Sequence, residues 1–231
     1  MKPVVLYGIN PTAKEIFAVS KLSGVDFNVA AFCLGDSYLT GETSYCGLPL
    51  VAESEVVQKY PPGEYDMLSC VGAWRRLRDR LLIYERLKGM GYFLRNFIHP
   101  LAYVSDDLQI GENNIIMSYV RIEYDVCIGH SNMFLSGATI ADNNVIGNGV
   151  NMNDKVIIGN FVDIGDSCWF GLGSIVNNGL TIANETLVAS GAVVLKNTKQ
   201  GFTYIGNPAK GYCTHQETGI MMNFPQESKK K

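Results

Sequence analysis

A strict six-residue spacing of large apolar side chains is the feature of this sequence that most constrains its fold. An amphipathic helix repeats its apolar residues every 3.6 positions and a half-buried strand every two, so neither element gives a period of six. Fifteen successive positions keep this spacing: Ile110, Ile116, Ile122, Ile128, Phe134, Ile140, Ile146, Met152, Ile158, Ile164, Phe170, Val176, Ile182, Val188 and Val194. Such an unbroken period is typical of a coil built from short identical units.

Small residues follow most of these positions. Gly or Ala comes next in nine of the fifteen repeats, among them Gly129, Gly147 and Gly165. We expect these residues to let the backbone turn sharply, because glycine tolerates conformations closed to other residues. Six residues then form one short strand and one corner, and three such units close a triangular coil around the large side chains. The sequence predicts a parallel β-helix of about five coils.

The residues before the repeat have another pattern, in which apolar runs alternate with helix-like segments. An apolar strand at residues 3–7, a helix at 13–22 and a strand near 27–34 predict the start of a βαβ unit. A strand at 67–71 and a helix at 74–90 follow. The turn between the first strand and helix lies where a phosphate-binding loop would lie, although it lacks the G-x-G-x-x-G spacing.

Composition excludes several functional classes. A net charge of -3 gives no electrostatic footprint for nucleic acid, and the Arg75-Arg76-Leu77-Arg78 run is more simply a solvated helix face than an anion site. Six scattered cysteines form no C-x-x-C pair, and three histidines far apart do not suggest a zinc enzyme, so we expect no metal. No apolar run approaches a membrane span and no signal-peptide pattern is visible, which predicts a cytoplasmic protein without a membrane partner.

Several motifs resemble one enzyme family. They include Val29-Ala30-Ala31-Phe32 before a turn, Gly47-Leu48-Pro49-Leu50, Ile98-His99-Pro100, and the closing Gly206-Asn207-Pro208-Ala209-Lys210. The chain is similar end to end to sugar O- and N-acyltransferases of the sialic-acid and bacillosamine type. The resemblance implies an α/β Rossmann-like nucleotide-sugar domain at residues 1–97, a left-handed parallel β-helix acyltransferase domain at 98–212, and a C-terminal tail at 213–231.

The resemblance also implies the ligands. In that family a nucleotide-linked amino sugar binds the N-terminal domain, and acetyl-CoA or another acyl-CoA binds between the β-helices of a homotrimer. The sugar nucleotide is expected at three turns, through Asn10, Pro11, Thr12, Gly35, Asp36 and Gly72. Acyl-CoA is expected along the coils and the closing motif, through Asn151, Asn160, Leu172, Gly173, Ala189, Ser190, Gly191, Pro208 and Lys210.

The family's catalytic histidine is replaced in this chain. The pattern Ile-Gly-His-Asp corresponds here to Ile140-Ala141-Asp142-Asn143, and a second family histidine corresponds to Asn151. We expect Asp142 and Asn143 at the catalytic corner, with the backbone N–H of Asn160 one coil above them binding the oxyanion.

Two further readings stay open. His130 occupies a corner of a neighbouring column and is a second candidate base, completed by a neighbouring subunit. An amine attacks with less help from a base than a hydroxyl, which favours N-acylation of a nucleotide amino sugar for surface polysaccharide synthesis. The alternative is a catalytically degenerate homologue that keeps the trimeric scaffold and ligand binding, in which Asp142 is a structural corner residue.

Overall fold

The N-terminal part is a five-stranded sheet flanked by helices. The structure is a computed structural model that describes residues 1–72 and 75–222. The strand order is β3-β4-β2-β1-β5, parallel except for the β3–β4 pair. Its elements are β1 (Val4–Tyr7), α1 (Pro11–Ser20), β2 (Val29–Leu34), β3 (Ser44–Tyr45), β4 (Leu48–Ala52), α2 (Glu53–Lys59), β5 (Asp66–Ser69), β6 (Arg75–Arg76) and α3 (Asp79–Gly89). Strand β1 is fully buried at the centre, as a continuous apolar run requires.

The helix expected over residues 74–90 begins later than the sequence indicated. Trp74 lies outside the described residues, and Arg75–Arg76 form strand β6, which pairs with strand β26 (Met221–Met222) near the end of the chain. Leu77 then packs with Ile220, both fully or almost fully buried. A contact between residues so far apart in the chain leaves no periodic signal in a local window, so the expected helix start was wrong.

The rest of the chain forms the coil that the six-residue spacing predicts. Two-residue strands fall on three parallel faces, and each strand pairs with the strand eighteen residues away, as in Ile115↔Met133. The first face holds β7 (Phe97–Ile98), β10 (Ile115–Ile116), β13 (Met133–Phe134), β16 (Asn151–Met152), β19 (Trp169–Phe170) and β22 (Leu187–Val188). The second holds β8 (Tyr103–Val104), β11 (Arg121–Ile122), β14 (Thr139–Ile140), β17 (Ile157–Ile158), β20 (Ile175–Val176) and β23 (Val193–Val194). The third holds β9 (Gln109–Ile110), β12 (Cys127–Ile128), β15 (Val145–Ile146), β18 (Asp163–Ile164) and β21 (Thr181–Ile182).

The small residues that follow the repeat positions do not form the sharp turns, contrary to expectation. The left-handed conformation falls two residues later, at φ 60° for Asn143 and 61° for Gly173. A Cβ on Gly165 would lie 2.1 Å from Asn184 Oδ1, and one on Gly159 would lie 2.3 Å from Asn178 Oδ1. These glycines are small because a side chain of the next coil occupies the space above them.

The coil ends in a hairpin that returns towards the N-terminal part. Strand β24 (Phe202–Ile205) continues the first face beside β22, and β25 (Lys210–Thr214) pairs with β24 in the antiparallel direction. The chain then reaches β26, whose pairing with β6 was described above. The last described strand is therefore fastened to the segment that precedes α3.

Candidate active site

Each face of the coil is followed by a corner, and the residues at one corner repeat every eighteen positions. We name each corner by one member. The Asp142 corner, after the second face, contains Tyr124, Asp142, Asn160 and Asn178. The His130 corner, after the third face, contains Glu112, His130, Asn148, Asp166 and Asn184. The Leu172 corner, after the first face, contains Ser118, Ser136, Asp154, Leu172 and Ser190.

The Asp142 corner is held together by a ladder of side chains. Asp142 Oδ1 accepts the backbone N–H of Tyr124 at 3.1 Å, and Asn160 Oδ1 accepts the N–H of Asp142 at 3.1 Å. Asn143 follows in the left-handed conformation and donates its N–H to Tyr124 O at 3.1 Å. One carboxylate oxygen of Asp142 is thus committed to the scaffold, while Oδ2 has no hydrogen-bond partner among the described residues.

The expected oxyanion donor is not free in this structure. The backbone N–H of Asn160 donates to Asn178 Oδ1 at 2.8 Å, so the same ladder already uses it. The sequence contains the asparagine that causes this, since Asn178 lies eighteen residues beyond Asn160. The prediction that this N–H binds the oxyanion is corrected accordingly.

The His130 corner has a ladder of the same kind, in which the histidine ring is a member. His130 Nδ1 accepts the N–H of Glu112 at 2.9 Å, and the ring stacks on Tyr84 of α3 at 5.2 Å between centroids. An Nδ1 that accepts a backbone N–H leaves the neutral ring with its proton on Nε2. That tautomer cannot accept a proton at Nε2, and the ring lies at a different corner from Asp142. The geometry therefore gives His130 a role in fastening α3 to the coil.

The Leu172 corner lacks such a ladder. Its serines contact each other, with 3.0 Å between Ser118 Oγ and Ser136 Oγ, but no side chain accepts a backbone N–H from the next coil. Within the described residues the N–H groups of Leu172 and Ser190 have no acceptor. Both groups face a corner where the Leu172 side chain is 54% exposed. This corner therefore offers open donors to a ligand that lies along the coils.

The residues expected to bind CoA do not all lie together in the structure. Leu172, Gly173, Ala189, Ser190 and Gly191 come together on two successive coils of the Leu172 corner.

The remaining expected CoA residues lie elsewhere. Asn151 is 2% exposed on the first face, with Nδ2 lacking a partner in the described chain, so its side chain does not reach a surface groove. Asn160 lies at the Asp142 corner. Pro208 and Lys210 are in the terminal hairpin, where the neighbouring Ala209 donates its N–H to Val193 O at 2.8 Å. The exposed Lys210 forms no ion pair with a described residue.

The carboxyl ends of the N-terminal strands open into a cleft of about 480 Å³. Arg86 of α3 lies at its centre, with Nε 2.6 Å from Glu53 Oε1 and Nη2 2.9 Å from the Tyr7 hydroxyl, which itself donates to Glu53. Burial and then the Glu53 carboxylate raise the pKa of Tyr7 well above its usual value, so it remains a neutral donor. Burial raises the pKa of Cys33 nearby to about 12.

Of the expected sugar-nucleotide residues, only Gly35 and Asp36 line this cleft. Asp36 Oδ1 also accepts the N–H of Ser54 at 3.2 Å and so helps to cap α2. Asn10 caps α1 through Ala13 N at 2.8 Å and donates to Cys70 O at 2.7 Å. Pro11 and Thr12 form the first turn of that helix and, like Gly72, lie outside the cleft lining.

Sequence reasoning missed Tyr7, Glu53 and Arg86. They come from β1, α2 and α3, and no motif joins them. A buried strand followed by a turn gave the only signal, because the carboxyl ends of parallel strands are the usual place for a ligand.

Within residues 1–72 and 75–222, no group of three or more metal-binding side chains comes together. No helix among these residues has the length and apolar character to cross a membrane.

No family model matches the sequence. Among solved structures, PerB from Caulobacter crescentus, crystallised with CoA and GDP-perosamine, superposes with a TM-score of 0.81 at 25% identity, covering 92% of this chain and 98% of PerB. The acetyltransferase domain of PglB from Neisseria gonorrhoeae has a TM-score of 0.80 at 21% identity, covering 92% and 100%. WeeI from Acinetobacter baumannii has a TM-score of 0.77 at 19% identity, again covering 92% and 100%. The resemblance to sugar acyltransferases is confirmed.

Proposed function

We propose that the protein transfers an acyl group from acyl-CoA to the amino group of a nucleotide-linked sugar. The observation that carries this is the Leu172 corner, where none of the five corner N–H groups has an acceptor among the described residues. The ladders of the other two corners leave only their last N–H groups, those of Asn178 and Asn184, without an acceptor. PerB, which binds CoA and GDP-perosamine, has the same fold over nearly its whole length. Acetyl-CoA is the donor we favour, and the left-handed winding and Rossmann-like role of the N-terminal sheet are parts of the same proposal.

The pantetheine arm of CoA suits the Leu172 corner. That arm carries two amide carbonyls, which need donors when it leaves water. The N–H groups of Leu172 and Ser190 lie one coil apart, about 4.8 Å, and face the same side. The exposed Leu172 side chain offers apolar contact to the methylene groups, and Lys210 is placed to meet a CoA phosphate.

The sugar nucleotide is assigned to the N-terminal cleft. Arg86 is neutralised by Glu53, so the cleft offers hydrogen bonds more than net positive charge. The free oxygen of Asp36 and the hydroxyl groups of Ser37 and Tyr38 are placed to bind hydroxyl groups of a ribose or a sugar. Within this proposal Asn10, Pro11, Thr12 and Gly72, which lie outside the cleft lining, remain the further residues expected to contact the sugar nucleotide.

Transfer to nitrogen fits the residues at the Asp142 corner. The amine nitrogen attacks the thioester carbon, the new C–N bond forms, the C–S bond breaks, and the amine proton leaves while the thiolate takes up a proton. An amine that arrives unprotonated needs little beyond positioning, whereas a hydroxyl needs a strong base. Asp142 Oδ2 is the group available to receive the proton, with Asn143 beside it.

The assembly we propose is a homotrimer in which the CoA groove lies between neighbouring coils. The domain limits that follow are residues 1–97 for the sugar nucleotide, 98–212 for acyl-CoA, and a tail from 213. Within this proposal the hairpin residues Pro208 and Lys210 lie at the end of the CoA groove.

The test is incubation with acetyl-CoA and a panel of nucleotide amino sugars while free thiol is measured. Because Cys213 is exposed, the background is set with protein and acyl-CoA without sugar. Sugar-dependent thiol release, with a product whose acyl group survives mild alkaline hydroxylamine, is expected, since amides resist this treatment and esters do not. A folded trimer that releases no thiol with any sugar contradicts the proposal.

A second candidate function is a binding protein that has lost transfer chemistry. The use of Asp142 Oδ1 and Asn160 N–H by the ladder favours it. Calorimetry with CoA and with each nucleotide sugar separates the two candidates, because binding without turnover is expected only of the second.

A further inference from the structure

The corner residues of the coil share an unusual backbone conformation. From Asn113 to Gly191, each residue three positions after an interior repeat side chain has a φ between 53° and 73°. This left-handed region suits glycine, which has no Cβ to approach the following carbonyl oxygen, and also asparagine and aspartate, whose short polar side chains can hydrogen-bond locally. Most of these positions follow the rule. The exceptions with long or bulky side chains are Tyr119, Lys155, Phe161 and Glu185.

The contacts of Glu185 explain its long side chain. Its carboxylate lies 3.4 Å from Arg78 Nη1, and its backbone oxygen is 2.7 Å from His215 Nε2. The side chain thus fastens Arg78 of the N-terminal part to the coil, while the backbone oxygen fastens the C-terminal segment. Phe161 has no such reason, because its ring is 64% exposed and belongs to none of the apolar clusters of the described residues.

The location of Phe161 supplies a reason. It lies at the Asp142 corner, one coil above Asp142, and its backbone N–H donates to Asp142 O at 3.2 Å. Its equivalents on the adjacent coils are Asn143 and Gly179, which both suit the conformation. Tyr119 has the same φ of 59° and similar exposure, so it is the location of Phe161 beside Asp142 that sets it apart, and strained residues cluster at functional sites.

We propose that the Phe161 ring is the apolar wall against which the alkyl part of the transferred acyl group lies, and that it limits the length of that group. This rests on the proposed function. Coils are about 4.8 Å apart, so a thioester carbonyl at Asp142 places its alkyl carbon within reach of a ring one coil above. The thioester and amine chemistry is unchanged, and Phe161 is a specificity-determining residue.

The experiment compares Phe161→Gly with wild type, measuring kcat/KM for acetyl-, butyryl- and hexanoyl-CoA with the same sugar. Glycine is the matched choice, because it removes the ring and accepts the backbone conformation. The ratio of kcat/KM for butyryl-CoA to that for acetyl-CoA is expected to rise at least about tenfold, as a few methylene groups in an apolar contact allow. The melting temperature is expected to stay the same or rise.

Tyr119→Gly is the control, since Tyr119 has the same φ of 59° and 67% exposure but follows Ser118 of the Leu172 corner, three coils below Leu172 and away from Asp142. Its acyl-CoA ratio should match that of wild type. An unchanged ratio in Phe161→Gly, or dissociation of the trimer in light scattering, overturns the assignment of Phe161. Failure of the proposed function is distinct, because wild type itself then releases no thiol.

Discussion

The Leu172 corner and the other two corners are built on the same backbone but treat their N–H groups differently. At the Asp142 and His130 corners, a side chain from the next coil accepts each of several successive N–H groups. At the Leu172 corner the N–H groups of Leu172 and Ser190 have no acceptor in the described residues. The repeat thus satisfies its corner N–H groups on two edges up to the last members, Asn178 and Asn184, and leaves those of the third edge open along its whole length.

Gly165→Ala should be the most damaging change at a closed corner. The added Cβ would lie 2.1 Å from Asn184 Oδ1 and 2.8 Å from Asn184 N, so the ladder and the coil above must move. A loss of about 3 kcal/mol in the free energy of unfolding is expected. The control is Gly173→Ala at the open corner, where a Cβ meets nothing within 4 Å and only the φ of 61° is unfavourable. That variant should lose about 1 kcal/mol. Urea denaturation measures both, and equal losses would contradict the conclusion that the next coil excludes a Cβ at Gly165.

Asp142→Asn separates the two roles of one closed-corner residue. Asparagine keeps the Oδ1 that accepts the Tyr124 N–H but loses the carboxylate that receives a proton. Turnover should fall at least about tenfold, with a change in unfolding free energy below about 0.5 kcal/mol. Asp166→Asn, at the equivalent ladder position of the His130 corner, should leave turnover unchanged. Unchanged turnover in Asp142→Asn would reassign Asp142 to the scaffold.

Leu172→Pro removes one open donor and little else. Proline is favoured before a residue with positive φ in a tight turn, and Gly173 is such a residue. The affinity for CoA should fall about fivefold, which corresponds to a lost hydrogen bond of about 1 kcal/mol. Leu172→Ala controls for the side chain, and calorimetry measures both variants. If the proline variant binds CoA as tightly as the alanine variant, the N–H of Leu172 is not a ligand donor.

Alkaline pH should weaken a closed corner through Cys168, whose thiol donates to Ala183 O at 3.2 Å. Burial raises the pKa of this thiol to about 12 from its usual 9.0. Between pH 9 and pH 12 the Cys168 thiol stays protonated in the folded protein but loses its proton in the unfolded chain. The free energy of unfolding therefore keeps its full value below pH 9 and falls as the pH rises above 9. Cys168→Ala should reduce this slope by about 1.4 kcal/mol per pH unit, whereas substitution of the exposed Cys213 should not change it. Unfolding midpoints at pH 8, 9 and 10 measure the effect.

The coil was predictable because its information is local and repeated. The series from Ile110 to Val194 gives strand, interior and corner positions at once, and the columns of corner residues follow by counting eighteen. What the glycines do was not predictable, because the atom that excludes a Cβ at Gly165 belongs to the next coil. The same holds for Asn160, whose N–H is occupied by Asn178.

The N-terminal part was predictable only in some of its elements. Strands β1, β2 and β5 and helix α1 lie within a few residues of their expected positions, since apolar runs and a capping Asn10 are visible in the sequence. Strands β3 and β4 and helix α2 were not predicted. The cleft was not predictable, because Tyr7, Glu53 and Arg86 meet only after three elements pack together. Strand β6 was missed for the same reason, as its partner Met221–Met222 lies near the other end of the chain.

The pairing of Met221–Met222 with Arg75–Arg76 also constrains the number of coils in the β-helix. Because the side chains at each corner recur every eighteen residues, a deletion of eighteen keeps every column in register, whereas a deletion of six moves each side chain to the next edge. Yet the final segment must span a fixed number of coils to reach β6, and Glu185 is pinned to Arg78 beside it. A relative of this architecture that gains or loses a coil therefore needs a compensating change in the length of the segment that leads to strand β26.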